Sequence, residues 1–216
     1  MSYLKRQRVP KKWPIPRKGT AYVVRPLSNL KDSVPILVAL RDMLKIVQNR
    51  KEVKKAVHDK IILINTKPAR DDKNHIVLFD SICLIPSRKN YRLELSEIGK
   101  FALNEIKETE AGKKISKITG KKILAGKKIQ LNLSDGANYL SNVKCNVNDS
   151  VLINLKNKKI EKCLPLKENA SVVVVAGKHA GKKGIIEKLK EERKMAKLNI
   201  GKDSINVLIK QMIVVE

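Results

Sequence analysis

This chain holds a net charge of +26, from 47 lysines and arginines against 21 aspartates and glutamates over 216 residues, and whatever it folds into must close against that repulsion. Such a surplus resists compaction unless a polyanion neutralises it. Apolar residues make up 42% of the chain, which is enough for real cores, and the length suits one large domain or two to three small modules. The balance argues against an ordinary metabolic enzyme. It points to nucleic acid or an anionic membrane surface as the partner.

What the chain lacks narrows the choice. Its aromatic residues are Tyr3, Trp13, Tyr22, Phe79, Tyr91, Phe101 and Tyr139, scattered along the sequence. Gripping single strands by base stacking needs clustered aromatic platforms, so phosphate and shape recognition is the expected mode. Cys83, Cys145 and Cys163 are odd in number and far apart, forming neither a disulfide framework nor a zinc clamp, which fits a reducing compartment. The apolar run Val172–Ala176 is far too short to span a bilayer, and the basic N-terminus has no apolar signal core. The expectation is a soluble intracellular protein.

Residues 1–34 read as a basic arm. Lys5, Arg6, Arg8, Lys11, Lys12, Arg17, Lys18 and Arg25 occur before residue 27 without one acid, and Pro10, Pro14, Pro16 and Pro26 favour extended backbone. A solubilising tail is the plainer alternative. Trp13 favours an arm that orders against phosphates, because a tail with no docking surface has little use for a tryptophan. From Pro35 the pattern turns helical: Ile36, Leu37, Leu40, Leu44 and Val47 recur at three- and four-residue spacing, which predicts an amphipathic helix with Arg41 and Lys45 on one stripe. A second helix after Asn49 would turn Val53, Ala56 and Val57 inward and Lys51, Lys54 and Lys55 outward. Two apolar runs, 61–64 and 76–85, then suggest a small hairpin sheet.

This arrangement over residues 35–90 resembles the S-four RNA-binding domain. Arg41-Asp42 matches its helix pair, Ile62-Leu63-Ile64-Asn65-Thr66-Lys67 its strand and turn, and Phe79-Asp80-Ser81-Ile82 the start of its last strand, with Thr66 and Phe79 standing where the family has glycines. Arg41, Lys45, Arg50, Lys54, Lys55 and Lys67 are the expected phosphate contacts. A solvated helix face is the ordinary alternative.

Residues 91–165 read as β-rich, with Gly-Lys-Lys at 112–114, 120–122 and 126–128 expected to be turns whose lysines keep strand ends soluble. Asp135-Gly136 reads as turn chemistry rather than catalysis. Residues 166–216 open on the strand Ser171–Val175, followed by three glycines, Gly177, Gly181 and Gly184, and a return to Ile185-Ile186. This resembles the KOW motif within a small SH3-like barrel. Lys178, His179, Lys182 and Lys183 would edge a loop whose glycines let the backbone approach RNA. The phosphate-binding P-loop pattern is absent, and His179 has no companion at metal-ligand spacing.

The order of these pieces resembles the S-four-e family of small-subunit ribosomal proteins of archaea and eukaryotes. The arm motif Trp13-Pro14-Ile15-Pro16-Arg17-Lys18, the segment Val24-Arg25-Pro26, the stretch Gln130–Asn138 and the loop Gly177–Gly181 carry the likeness, while Leu27–Leu30 departs from it. The resemblance implies an α+β, multi-module chain: arm, S-four-type domain of two short helices on a small sheet, β-rich central domain and C-terminal SH3-like KOW barrel. It also implies a non-enzymatic structural constituent of the cytoplasmic small ribosomal subunit, bound to ribosomal RNA and neighbouring ribosomal proteins. No catalytic residue, metal, cofactor, membrane or small-molecule substrate is implied. The rivals are an RNA-modifying enzyme and a KOW-type transcription elongation factor. The first needs a catalytic domain for which no motif is present, and the second has no need of the arm and its charge.

Overall fold

In the computed structural model, which describes residues 3–141, 143–190, 194–201 and 203–215, strands dominate and helices are short. The chain divides into two units, the first reaching Glu94 and adding Lys100–Gly112, the second made of Leu95–Gly99 and the chain from Lys113 onward.

The first unit begins with a closed loop rather than an open arm. Strands β1 (Leu4–Lys5) and β2 (Tyr22–Val23) pair antiparallel, with Leu4 opposite Val23 and Lys5 opposite Tyr22. Strand β3 (Ser33–Pro35) leads into helix α1 (Ile36–Val38), which continues through a wide turn, Ala39–Met43. Here the structure corrects the expected amphipathic helix. Ile36 to Leu40 are buried without interruption, so α1 is covered on every side. The Leu44 amide reaches back five residues to the Ala39 carbonyl, and the Ile46 amide bonds to Leu40. Lys45 then takes φ +56° and reverses the chain, so it leaves the stripe it was expected to share with Arg41.

Helix α2 (Arg50–His58) starts at a capping box formed by Asn49 and Glu52, and it buries Val53 and Val57. Strands β4 (Ile62–Ile64), β5 (Lys67–Pro68), β6 (His75–Val77), β7 (Ser81–Leu84), β8 (Lys89–Leu95) and β9 (Phe101–Ile106) follow, then a single turn of helix, α3 (Glu108–Ala111). One sheet runs β5-β4-β7-β8-β9 and a second pairs β3 with β6. The boundary that composition suggests after residue 90 falls inside β8, whose Tyr91 and Arg92 pair with Ile82 and Ser81.

Two turns explain the glycines that the family pattern has and this chain lacks. Ile64 pairs with Lys67 across a two-residue loop in which Asn65 (φ +49°) and Thr66 (φ +69°) are both left-handed. That is the backbone of a type I′ hairpin, which favours Asn-Gly. Phe79 has φ +65° in the turn closed by the Asp80 amide on the Val77 carbonyl. Among the described residues, eleven non-glycine residues have positive φ, and five of them are basic: Lys45, Lys60, Arg88, Lys158 and Lys194.

The second unit holds two five-stranded sheets, each with its own core. The first, in the order β12-β11-β10-β13-β14, contains β10 (Lys113–Ile123), β11 (Ile129–Leu133), β12 (Asn138–Leu140), β13 (Ser150–Asn154) and β14 (Lys159–Leu164). It buries Ile118, Leu131, Leu133, Cys145, Val151 and Ile153. The other, β18-β17-β16-β15-β19, contains β15 (Ser171–Val174), β16 (Lys183–Lys190), β17 (Met195–Ile200), β18 (Asp203–Leu208) and β19 (Met212–Val214), and it closes over Val172, Val174, Ile186, Leu198 and their neighbours.

The lysine-rich turns expected in the middle of the chain are largely a strand. Residues 113–123 form β10, with a register shift between Ile118 and Gly120; the first Gly-Lys-Lys begins in the turn that ends α3, at Gly112, and the third begins in a tight turn at Gly126. Two lysines of β10 are core residues. Lys114 forms an ion pair of 2.5 Å with Asp135, itself in a turn where the Ala137 amide donates to its carboxylate. Lys117 is 5% exposed and donates to the carbonyls of Ile209 (2.5 Å) and Met212 (3.0 Å), tying the two sheets of this unit together. Burial pushes its ammonium pKa down to about 8.

Candidate nucleic-acid interface

The basic residues marked out by the sequence separate into those whose charge is committed inside the fold and those left on the surface. Trp13, expected against RNA, is a core residue: it is 2% exposed and its indole N–H donates to the Ser33 carbonyl at 2.9 Å. An indole with its polar atom satisfied and its faces packed is an anchor for the arm. Lys12 beside it pairs with Asp32 at 3.0 Å and lies 5.9 Å from the Phe101 ring centroid, while its carbonyl accepts from the Phe101 amide.

Arg6 is the hub of the arm loop. Its guanidinium donates to the carbonyls of Thr20 (2.7 Å) and Pro16 (2.9 Å) and to the Thr20 hydroxyl (2.8 Å). Arg17 donates to the Val9 carbonyl, while Lys5, Arg8, Lys11 and Lys18 are exposed and Arg25 is half-buried with interactions of its own.

On the helices, Arg41 forks onto Asp42, with bonds of 3.2 and 2.9 Å. Arg50, at the start of α2, bonds at 2.6 Å to Asp72, which is 1% exposed. Burial alone would raise the Asp72 carboxyl, but the Arg50 and Asp71 hydrogen bonds and the charges of Arg50 and Lys54 outweigh it, and the group sits below its usual range. Arg50 therefore neutralises a buried carboxylate before it can serve a phosphate. Lys51, Lys54 and Lys55 line the outer side of α2, Lys45 caps the chain reversal, and Lys67 follows the hairpin turn, all exposed.

The glycine loop of the second unit is tight for internal reasons. A Cβ on Gly177 would stand 2.9 Å from the Gln211 side-chain oxygen, and one on Gly184 would stand 2.7 Å from the Asn199 carbonyl oxygen. At Gly181, which has φ +91°, a Cβ would collide with the Ser96 carbonyl. The close approaches that the structure shows at these glycines are to the protein's own chain. The loop presents Lys178 and Lys183 to solvent, with His179 and Lys182 half-buried.

Two features escaped the sequence reading. Lys188 and Lys197 lie directly opposite each other on β16 and β17, with Glu187, placed by a register shift, reaching Lys197 at 3.0 Å. Strict alternation along β16 was the available signal. Tyr3 and Tyr22, distant in sequence, meet with ring centroids 5.6 Å apart and planes at 90°, and no local pattern foretells that.

Six of the 21 acids pair with the chain's own cations: Asp32 with Lys12, Asp42 with Arg41, Asp72 with Arg50, Asp135 with Lys114, Glu161 with Lys113 and Glu187 with Lys197. What remains on the surface is overwhelmingly cationic. Among the described residues no cluster of three or more His, Cys, Asp or Glu could hold a metal ion, and no helix is long and apolar enough to cross a membrane.

The model of "Ribosomal family S4e" matches residues 87–160. The small ribosomal subunit protein eS4 of Methanocella arvoryzae is 34% identical over 198 residues, spanning 90% of this chain and 84% of its own length. That of Nanoarchaeum equitans is 33% identical over 196 residues, with shares of 87% and 84%. Among solved structures, the 30S ribosomal protein S4e of Thermoplasma acidophilum superposes with a TM-score of 0.73 over 86% of this chain and 95% of its own, at 22% identity. The chain belongs to the ribosomal S4e family.

Proposed function

We propose that this chain is a structural constituent of the small ribosomal subunit in the cytoplasm, where it binds ribosomal RNA through phosphate contacts beside neighbouring ribosomal proteins. The observation that carries the reading is the set of exposed cations on the arm, the outer side of α2 and the glycine loop, in a chain with 47 lysines and arginines against 21 acids. Residues 35–90 act as the S-four-type module and residues 166–216 as the KOW module of an SH3-like barrel. Lys5, Arg8, Lys11, Lys18, Lys45, Lys51, Lys54, Lys55, Lys67, Lys178 and Lys183, all exposed, are the phosphate contacts. Arg6, Arg50 and Trp13 act indirectly, by holding those residues in place. Several moderate contacts on one chain raise effective concentration, so the whole binds far more tightly than any part.

Titration of the purified protein onto small-subunit ribosomal RNA across a salt series tests this. Log affinity should fall with log salt at a slope of about −0.7 to −0.9 per neutralised phosphate. A slope near zero refutes phosphate binding. Sedimentation of cell extract should place the chain with small subunits at equal stoichiometry, and its absence there refutes the ribosomal assignment.

A further inference from the structure

We propose that the closed loop of the arm is a seat for one unpaired nucleotide of RNA, with its base stacked on Tyr22 and its phosphate among Lys5, Arg17 and Lys18. The proposal rests on the reading of the chain as an RNA-binding protein and goes beyond it by assigning a site and a strand state.

The seat is built. The β1–β2 pair and the Arg6 amide bonded to Ala21 close the loop's ends, and the three Arg6 side-chain bonds brace its far side. Gly19 lies against that guanidinium, and a Cβ there would stand 3.1 Å from its central carbon. The loop forms one side of an open cleft of about 570 Å³ lined by Lys5, Arg6, Gln7, Arg17, Lys18 and Tyr22, with no carboxylate in its wall. The named bonds of Arg6 all go to uncharged oxygens, so they orient its charge without cancelling it. A cavity of this size suits a small ligand of nucleotide dimensions, and its lining suits an anionic one.

Tyr22, in the cavity wall, and Tyr3 are 60% and 53% exposed. Their perpendicular contact occupies the edge of one ring and one face of the other, and both residues remain more than half exposed. An open aromatic face beside a basic cavity is what a splayed base and its phosphate require. Duplex RNA hides its base faces by stacking and cannot use it. The scattered aromatics made phosphate and shape recognition the expected mode, and the fold brings two of them together beside a basic loop.

The test compares binding of the full-length protein to a 12-nucleotide RNA single strand and to the blunt duplex formed with its complement. Tyr22→Ala should weaken single-strand binding about tenfold more than duplex binding, within the range of one lost base stack. Tyr22→Phe should restore it, and Tyr22→Leu, which keeps an apolar residue in the β pair without a π face, should not. In wild type, a photoreactive uridine in the single strand should crosslink to Tyr3 or Tyr22. Equal losses on both probes, or crosslinks confined to other segments, overturn the seat while leaving RNA binding intact. Failure of wild type to bind either RNA overturns both.

Discussion

Replacing Thr66 by glycine should stabilise the hairpin that the chain builds against its own residue preference. The two-residue loop between β4 and β5 requires positive φ at both central positions, and Thr66 supplies it at φ +69°. A left-handed conformation costs an L-residue about 1–2 kcal/mol through its Cβ. Glycine removes that cost but adds freedom to the unfolded chain, worth about 0.4–1 kcal/mol. Thr66 is exposed, so little packing is lost, and the net gain is about 0.5–1 kcal/mol. Asn65 needs no such relief: its side chain donates to Asp80 at 2.8 Å and accepts from the Ser81 amide at 3.0 Å. Because the chain has two units, a global melting temperature would blur the effect. Native-state hydrogen exchange resolves it, read at the amide of Ala69, which bonds across the hairpin to Ile62, and at that of Asn65, which bonds to Ser81 on the adjacent strand β7. Exchange there should slow by about two- to fivefold in Thr66→Gly, in line with about 0.5–1 kcal/mol. Thr66→Ala, which keeps a Cβ, should capture only a small part of the gain. Unchanged or faster exchange in the glycine variant would refute the argument that this turn is strained.

Lys117 gives a pH signature of definite sign. Its folded pKa of about 8 lies below the ordinary 10.5, so below pH 8 both states are protonated and the native state bears the full cost of a buried charge. Between pH 8 and 10.5 the native state releases a proton that the unfolded state keeps, so stability relative to Lys117→Met should rise with pH; denaturant melts across that range check it. Trp13 is the chain's single tryptophan, so its fluorescence reports arm docking: emission should be that of a buried indole without RNA, and Trp13→Ala should cost about 3–5 kcal/mol and open the arm to limited proteolysis. Gly184→Ala should destabilise the second unit by several kcal/mol in chemical denaturation (on the order of 1–3 or more for overpacking), whereas Lys183→Ala beside it should leave stability within about 0.5 kcal/mol and make the RNA salt slope shallower by about 0.7–0.9.

Where sequence pattern and local physics coincide, the structure was readable in advance. The start and inner face of α2 follow from Asn49, Val53 and Val57, and the left-handed turns sit where the family pattern has glycines, at Thr66 and Phe79. The expectations that shifted depended on partners distant in the chain. Lys114 reads as a turn lysine until Asp135 draws it inward, and no local pattern marks Lys117 as the residue that the carbonyls of Ile209 and Met212 bury. The stripe on α1 broke because a wide turn changes the helical period midway, which no spacing of apolar residues announces. For the interface, the clusters of charge were legible, but which cations are spent was not: Arg6 is bound 10 and 14 residues along the chain, Lys12 by Asp32 and Arg50 by Asp72.

The five basic residues held at positive φ carry a consequence for how such a protein survives before it meets its partner. Lys45, Lys60, Arg88, Lys158 and Lys194 occupy chain reversals where glycine would relax the backbone, and each keeps a long cation at an exposed corner. The unbound molecule is thus penalised twice, by torsion at its corners and by repulsion among them. Added electrolyte screens the repulsion and favours the compact state, while the same electrolyte competes with the protein for phosphates. Free-protein stability and RNA affinity should respond to ionic strength in opposite directions, confining efficient assembly to an intermediate window, with the nucleic acid serving as the counterion that the fold itself does not provide.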